Sequence, residues 1–181
     1  MMTYHPIKLM ILSGLPCSGK SRWTDAFIKD NPDKKVHVFS TDAIIEEEAQ
    51  KLDTTYNEVF SKVIRDAERI AVRRLHSALI SDHIDVVIFD QTNLSLNKRN
   101  KIITTFIPQQ INNYSLEYHC FLPPETEREE EIWKAMQKHR ADNEGKYINE
   151  DVLDSMARSY QIPCPMRTEE KPVFYHRLSM L

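Results

Sequence analysis

Short apolar segments alternate along the chain with longer segments of different period. The short ones have the length of strands, are rich in β-branched and aromatic residues, and are bounded by polar turn residues. They cover residues 7–13, 35–40, 84–89, 114–122 and 173–178. The segment 84–89 (IDVVIF) is almost wholly apolar, which is typical of a strand buried on both faces. Strands that alternate with helices predict an α/β fold with a doubly wound parallel sheet of about five strands.

The segments between the strands show the 3.6-residue period of helices. Helices are predicted at residues 21–29, 43–52, 56–81, 97–107 and 124–139, and from a cap at Asn149 to about residue 160. In the longest, one apolar stripe predicts the core-facing side. Its members are Phe60, Val63, Ile64, Ala67, Ile70, Ala71, Leu75 and Ala78.

The same helix carries four arginines, whose roles the pattern separates only in part. Arg65, Arg69 and Arg73 lie opposite the apolar stripe, and we interpret them as a solvated face. Arg74 lies nearer the stripe, so it either snorkels at the edge of the core or reaches a site.

The first strand leads directly into the octapeptide GLPCSGKS, residues 14–21. It fits G-x-x-x-x-G-K-[ST], the phosphate-binding loop, at every fixed position and lies between a strand and a helix, as that motif requires. The chain has only 3 glycines, and two of them are in this loop. Backbone N–H groups and the N-terminus of the following helix favour bound phosphate. An ordinary strand-to-helix turn is the alternative interpretation.

This loop predicts individual roles for its residues. Lys20 would reach the β- and γ-phosphates of a nucleoside triphosphate, and the Ser21 hydroxyl would ligate Mg²⁺. The residues expected to hold the nucleotide phosphates are Gly14, Cys17, Ser18, Gly19, Lys20 and Ser21.

Two acidic residues follow the next two predicted strands. In a parallel sheet, ligands bind outside the carboxyl ends of the strands, so Asp42 and Asp90 are expected at the same edge as the phosphate loop. We assign Asp90 to the Mg²⁺ site, opposite Ser21. Asp42 is our candidate for the general base that accepts a proton from a hydroxyl. Both residues have structural alternatives, since Asp also caps helices and forms turns at strand ends.

Residues 140–148 have the composition of a loop and include the third glycine, Gly145. We predict a lid that closes over the nucleotide and brings Arg140 and Lys146 to its phosphates. Arg140 is also a candidate catalytic residue, because it would neutralise charge in the transition state. An exposed linker with two solvated cations is the alternative.

Composition narrows the class of protein. The 181 residues are 41% hydrophobic and 28% charged, which indicates a soluble globular chain with one domain, 1–181. No apolar run approaches the roughly 20 residues of a membrane helix, and the N-terminus lacks a signal-peptide charge pattern. The 3 scattered cysteines favour neither disulfides nor zinc, so we expect a cytoplasmic protein. A net charge of −3 argues against a general nucleic-acid coat, although a local basic groove remains compatible with it.

Four segments together resemble a known family. GLPCSGKS, FSTDAI, VVIFDQTNLSLNKR and HRADNEGKYINEDVLDSM look like the P-loop kinases that include the kinase module of bacteriophage polynucleotide kinase. The resemblance extends over roughly residues 7–160. It implies a five-stranded parallel sheet with a helical lid, ATP–Mg²⁺ as the phosphate donor, and a substrate hydroxyl activated by Asp42. It also implies that the loop 163–170 lies beside the adenine.

The chain departs from that family at one position. Polynucleotide kinases typically have an arginine three residues after the catalytic Asp, where it holds the substrate's phosphate, and this chain has Ile45. That recognition would pass to another cation such as Arg74, Lys98 or Arg99.

The expected function is therefore ATP-dependent phosphate transfer to a hydroxyl, with the 5′-hydroxyl of a DNA or RNA end as the first candidate acceptor. A small-molecule kinase acting on a nucleoside, sugar or similar compound is the alternative, which Ile45 and the acidic pI of about 6.2 favour. A nucleotide-binding protein without transfer activity is a third possibility, against which Asp42 argues. Nothing in the sequence indicates a membrane or an obligate protein partner.

Overall fold

Five parallel strands form one sheet in the order β2-β3-β1-β4-β5. The computed structural model describes residues 6–81, 83–166 and 172–178. The strands are β1 Ile7–Ser13, β2 Val36–Phe39, β3 Val86–Phe89, β4 Tyr114–Phe121 and β5 Val173–His176. All four strand pairs are parallel, so the predicted doubly wound sheet is confirmed.

Six α-helices connect the strands. They are α1 Lys20–Asp30, α2 Thr41–Lys51, α3 Tyr56–Ser81, α4 Leu96–Lys101, α5 Glu127–Glu144 and α6 Glu150–Ser159. A π-helical turn, Ile102–Phe106, continues α4, so the single helix predicted at 97–107 is wrong in type over its second half. The N–H of Ile107 bonds to the carbonyl of Ile102, five residues earlier, which is the hydrogen bond of a π-helix.

The central strand β1 separates two apolar layers. Leu9 and Ile11 contribute to a large cluster that α2, α3 and the π-helical turn cover. Met10 and Leu12 face the opposite side, where Trp23 and Phe27 of α1 pack. Burial on both faces explains why the strand has no polar alternation, and it fixes the carboxyl end of β1 at the start of the phosphate loop.

Helix α3 has the bounds that its sequence predicts, and its core-facing side is lined by small or aliphatic residues, Val59, Ala67, Ala71, Leu75 and Ala78. The prediction for Phe60 is wrong: the residue is 41% exposed, because its neighbour Val59, 3% exposed, takes the core-facing position at this end of the helix. The solvated face is confirmed, since Arg65, Arg69 and Arg73 are exposed. Arg74 lies at the edge and forms a bidentate ion pair with Glu47 of α2.

Helix α5 differs from its prediction at both ends. It begins at Glu127, where Thr126 and Glu129 form a capping box, rather than at Pro124. It also continues past His139 to Glu144 and ends at Gly145, which has φ 62°. Residues 140–144 are therefore helical and not loop; Arg140 contacts Cys17 of the phosphate loop, and an Arg140–Glu144 pair one turn apart adds a small contribution to the last turn. Gly145 is the residue at which the chain can adopt a left-handed conformation without strain.

Two further sequence predictions concern the loop expected beside the adenine and the absence of a membrane-spanning helix. The loop expected beside the adenine, 163–170, lies partly outside the described residues, which end at 166 and resume at 172. Among the helices that the structure describes, none combines the length and the apolar character needed to span a membrane.

Candidate active site

The phosphate loop, residues 14–19, is a tight turn that leaves no room for a side chain at Gly14 and has a positive φ at Gly19. A Cβ on Gly14 would lie 2.7 Å from Cβ of Phe121 and 2.8 Å from Oγ of Ser18. Gly19 has φ 91°, and Cys17 also has a positive φ, 59°. The positive φ of the non-glycine residue Cys17 costs backbone strain, which is typical of functional sites.

Lys20, the first residue of α1, is folded back into this loop. Its ammonium donates to the carbonyls of Gly14, at 3.0 Å, and Leu15, at 2.7 Å, and to Oγ of Ser18 at 3.2 Å. Burial lowers the pKa of Lys20 from 10.5 to about 8, although the carboxylates of Asp90 and Asp42 oppose the shift. A buried cation held by neutral acceptors is suited to exchange those acceptors for phosphate oxygens.

Asp90 and Ser21 meet at the carboxyl end of β3. The Ser21 hydroxyl donates a hydrogen bond to the Asp90 carboxylate, and the backbone N–H of Asp90 bonds to the carbonyl of Phe39 at 3.0 Å. Burial raises the pKa of Asp90 above its ordinary value, while Lys20 and Ser21 act in the opposite direction. A hydroxyl and a carboxylate in contact, beside a phosphate loop, are oxygen ligands that fit Mg²⁺.

Asp42 lies in the first turn of α2, whose N-cap is Ser40 and not Asp42. Its carboxylate is exposed, and Oδ1 accepts a hydrogen bond of 2.8 Å from the hydroxyl of Tyr56, the first residue of α3. Burial raises the pKa of the Tyr56 phenol, and the negative charge of Asp42 raises it further, so the phenol remains a donor. Tyr56 thus fixes one oxygen of Asp42 and leaves the other for a ligand.

Both predicted lid cations lie near these groups. Arg140 is on α5, with Nη1 3.8 Å from Sγ of Cys17 and Nε 3.1 Å from Oε2 of Glu144. Lys146, in the short loop after Gly145, forms an ion pair with Glu46 of α2, and its Nζ lies 4.9 Å from the centroid of the Tyr56 ring. Burial lowers the pKa of Lys146, while the charge of Asp42 acts to raise it. The structure therefore brings Arg140 to the phosphate loop and Lys146 to Asp42.

The short loop 145–149 packs on the N-terminus of α3. A Cβ on Gly145 would lie 3.1 Å from Cβ of Thr55, and Nδ2 of Asn57 donates to the carbonyl of Tyr147 at 3.1 Å. The loop 145–149 is thus in contact with the same helix end that supports Asp42 through Tyr56.

No sequence pattern predicts one contact that the phosphate loop makes with α5. The indole N–H of Trp133, on α5, donates to the carbonyl of Pro16 at 2.7 Å. The two residues are 117 positions apart, so no local pattern signals their contact. Trp133 ties the helix that carries Arg140 to the phosphate loop.

Residues that follow β3 hold the start of the phosphate loop in place through hydrogen bonds. The Asn93 amide donates to the carbonyls of Leu12, at 2.8 Å, and Phe89, at 3.3 Å, and the N–H of Gly14 bonds to the carbonyl of Thr92 at 2.9 Å. The D-x-T-N-L segment, which contributes to the family resemblance, therefore includes residues that join β1 to β3.

Of the cations that could replace an arginine at position 45, two are engaged elsewhere. Arg99 is fully buried, and its Nη1 donates to the carbonyls of Asn93 and Leu94, both at 3.0 Å. Arg74 pairs with Glu47, as described above. Lys98 is exposed on α4. Ile45 itself lies in the core with no exposed surface, so it does not face the site.

Comparison with known proteins identifies the family. A family model for an AAA domain (AAA_33) matches residues 9–163, whereas no curated protein sequence matches the chain. The fold is similar to that of a fungal RNA kinase, at 16% identity and a TM-score of 0.61, over 98% of this chain and 76% of the other.

Two further solved structures share the fold. Kti12 from Chaetomium thermophilum, in complex with ADP-AlF3, is 16% identical with a TM-score of 0.59, over 93% of this chain and 88% of its own. A chain of the Pnkp1/Rnl/Hen1 RNA repair complex is 20% identical with a TM-score of 0.59, over 87% of this chain and 45% of its own. With the family match covering most of the sequence, the chain belongs to the AAA_33 family of AAA domains and has the P-loop kinase fold.

Proposed function

We propose that this protein is an ATP-dependent kinase that transfers the γ-phosphate to the 5′-hydroxyl of a DNA or RNA end. One observation carries the proposal. A phosphate loop, an Asp–Ser pair suited to Mg²⁺ and an exposed carboxylate with one oxygen fixed converge on one edge of the sheet, with two lid cations above them. Each part has a role in phosphoryl transfer, which depends mainly on positioning and electrostatic stabilisation.

The donor nucleotide is held by the loop and by Lys20. On binding, the ammonium of Lys20 exchanges the carbonyls of Gly14 and Leu15 for phosphate oxygens, and the backbone N–H groups of the loop bind the remaining ones. Ser21 and Asp90 would hold Mg²⁺, which supplies positive charge to the β- and γ-phosphates when bound. The raised pKa of Asp90 reflects the cost of burying a carboxylate away from water, a cost that a bound cation would offset.

The acceptor hydroxyl is activated by Asp42. Because Tyr56 occupies Oδ1, the second oxygen of Asp42 takes the proton as the hydroxyl attacks the γ-phosphorus, while the bond from that phosphorus to the β–γ bridging oxygen breaks and ADP leaves. Arg140 leaves Glu144 for the transferring phosphoryl group, and Lys146 leaves Glu46. Both lid cations have carboxylate partners in the free protein, so their charges are compensated until phosphate replaces those partners.

We choose a nucleic-acid end as the acceptor because of the sequence resemblance to polynucleotide kinases and because of two proteins of similar fold. Two of the folds compared are an RNA kinase and part of an RNA repair complex. A small-molecule acceptor is the second candidate, and a specific observation favours it. Ile45 is buried in the core, and the acceptor side of α2 carries Glu46 beside Asp42, which disfavours an anionic acceptor unless Lys146 compensates.

The decisive experiment is transfer from labelled ATP to a panel of hydroxyl compounds: 5′-hydroxyl DNA and RNA oligonucleotides, nucleosides and sugars. Each is measured at low and moderate salt with the wild-type protein and with Lys20→Ala and Asp42→Asn. We expect transfer to an oligonucleotide that weakens as salt rises, since a few cations must hold its phosphates.

The outcomes separate the candidates. Transfer to a small neutral acceptor that is independent of salt, with none to oligonucleotides, would replace the first acceptor and retain the kinase. Undiminished transfer in folded Lys20→Ala would exclude the proposed site altogether. Tight nucleotide binding without transfer to any acceptor would indicate a nucleotide-binding protein.

A further inference from the structure

Phe60 is an aromatic side chain that the core does not use. It lies on α3 one turn after Tyr56, and its ring is 41% exposed where the helix periodicity predicts burial. The two rings are in contact, with centroids 5.6 Å apart and planes inclined at 36°. An exposed aromatic residue needs no explanation alone, but this one is joined to the proposed catalytic carboxylate.

The connection runs through Tyr56. Its hydroxyl donates to Asp42 at 2.8 Å, while its ring carries Phe60 on one side and the ammonium of Lys146 at 4.9 Å. Tyr56 is half-buried and occupied by these partners, whereas Phe60 remains open to solvent. Only the ring of Tyr56 therefore separates the Asp42 carboxylate from the exposed ring of Phe60, so a molecule whose hydroxyl reaches Asp42 lies near that ring.

A second exposed aromatic residue belongs to the loop 145–149, which contacts the same end of α3. Tyr147 is 61% exposed, and its carbonyl accepts a hydrogen bond of 3.1 Å from Asn57, which precedes Phe60 by one turn of α3. Ile80, another large apolar residue exposed on α3, lies at the opposite end of the helix. On α3, the exposed ring of Phe60 thus lies at the end that meets Asp42 and the loop 145–149, while the exposed rings of Phe174 and Tyr175 lie on β5.

The charges around this surface restrict what it can take. Asp42 and Glu46 lie on the acceptor side of α2, and Lys146 is paired with Glu46. The carboxylates of Asp42 and Glu46 would repel an anionic ring. The exposed ring of Phe60 can instead stack on a flat, uncharged partner without any complementary charge. An unpaired nucleobase has these properties, and bases stack on aromatic side chains whatever their sequence.

We propose that Phe60, supported by Tyr56, is the stacking platform for the unpaired terminal nucleobase of the acceptor. The inference rests on the proposed function and deepens it: the acceptor's 5′-hydroxyl lies at Asp42, and its first base lies on Phe60. The platform selects single-stranded or frayed ends over fully paired ones, because a paired terminal base is already stacked on its neighbour.

The experiment compares two 5′-hydroxyl oligonucleotides that are identical except that one has an abasic first residue. Transfer is measured with the wild-type protein, Phe60→Ala and Phe60→Trp, and with Ile80→Ala as the control exposed residue on the same helix. For the wild type we expect kcat/KM to be roughly tenfold higher with the base than without it, as the loss of one base–aromatic stack predicts. Phe60→Ala should remove that difference through KM and leave the abasic acceptor unaffected, while Phe60→Trp and Ile80→Ala should preserve it.

Two kinetic results would overturn the platform. If Phe60→Ala slows both acceptors equally, Phe60 acts only by supporting Tyr56 and Asp42. If wild type and Phe60→Ala both treat the two acceptors alike, the first base does not contact Phe60. Binding of the same oligonucleotides to the wild-type protein, measured by calorimetry with Mg²⁺ and a non-hydrolysable ATP analogue, separates this proposal from the proposed function. Base-dependent binding that Phe60→Ala abolishes, without any transfer, would retain the platform and reject the kinase activity; absence of binding would reject the platform.

Discussion

The buried ammonium of Lys20 makes a quantitative prediction about the free protein. At pH 7, Lys20 is charged in both the folded and unfolded states, but its pKa falls from 10.5 to about 8 on folding. At about 1.4 kcal/mol per pKa unit, holding that charge in the fold costs about 3 kcal/mol of stability at pH 7. As pH rises through 8, the folded state releases the proton first and the cost declines. About 2 kcal/mol of it should be relieved by pH 9.5.

The variant Lys20→Met isolates this effect. Its lost hydrogen bonds change stability by an amount that does not depend on pH, and the groups that do not face Lys20 titrate alike in both proteins. We therefore expect the unfolding free energy of the wild type, minus that of Lys20→Met, to increase by about 2 kcal/mol between pH 7 and pH 9.5. Urea unfolding followed by circular dichroism, without nucleotide, measures it. A difference that stays constant or decreases over this range would refute the reasoning.

Four further substitutions have distinct expected effects. Asp90→Asn should weaken Mg²⁺-dependent ATP binding, whereas Asp42→Asn should keep ATP affinity and lower turnover by about 10²- to 10⁴-fold; calorimetry and steady-state kinetics reveal whether the two roles are exchanged. Arg140→Ala should lower kcat more than ATP affinity, and amides of residues 140–147 should exchange more slowly with Mg·ATP bound; equal exchange in both states would argue against a lid. Asn93→Ala should destabilise the fold by about 1–3 kcal/mol, because the buried carbonyls of Leu12 and Phe89 lose their donor; urea unfolding that leaves stability unchanged would contradict it.

The sequence predicts most of the fold because its signals are local. The strand, glycine loop and helix around Lys20 are contiguous, and the acids after β2 and β3 reach the same edge in any parallel sheet. Phe60 is misassigned because the adjacent apolar residues Val59 and Phe60 both fit the edge of the stripe, and the sequence pattern does not show which of them faces the core.

Other features depend on contacts between distant segments. Helix α5 extends to Glu144 although residues 141–144 have loop composition, and its contacts with the phosphate loop, Trp133 to Pro16 and Arg140 to Cys17, join residues more than 100 positions apart. Arg99 is a plausible surface cation in the sequence, and only the fold reveals that it is enclosed beneath the loop after β3. Tyr56 has no signal of its own beyond its place in the helix, yet it orients Asp42.

The hydrogen bond between Trp133 and Pro16 also gives the protein an intrinsic optical probe. The chain has only 2 tryptophans, and the other, Trp23 of α1, packs against Phe27 of the same helix and His119 of β4. In a Trp23→Phe variant, all indole emission would come from a residue bonded directly to the phosphate loop at 2.7 Å. Any rearrangement of that loop changes the polarity around the indole, so nucleotide arrival can be timed by stopped-flow emission, with neither a label nor a modified nucleotide.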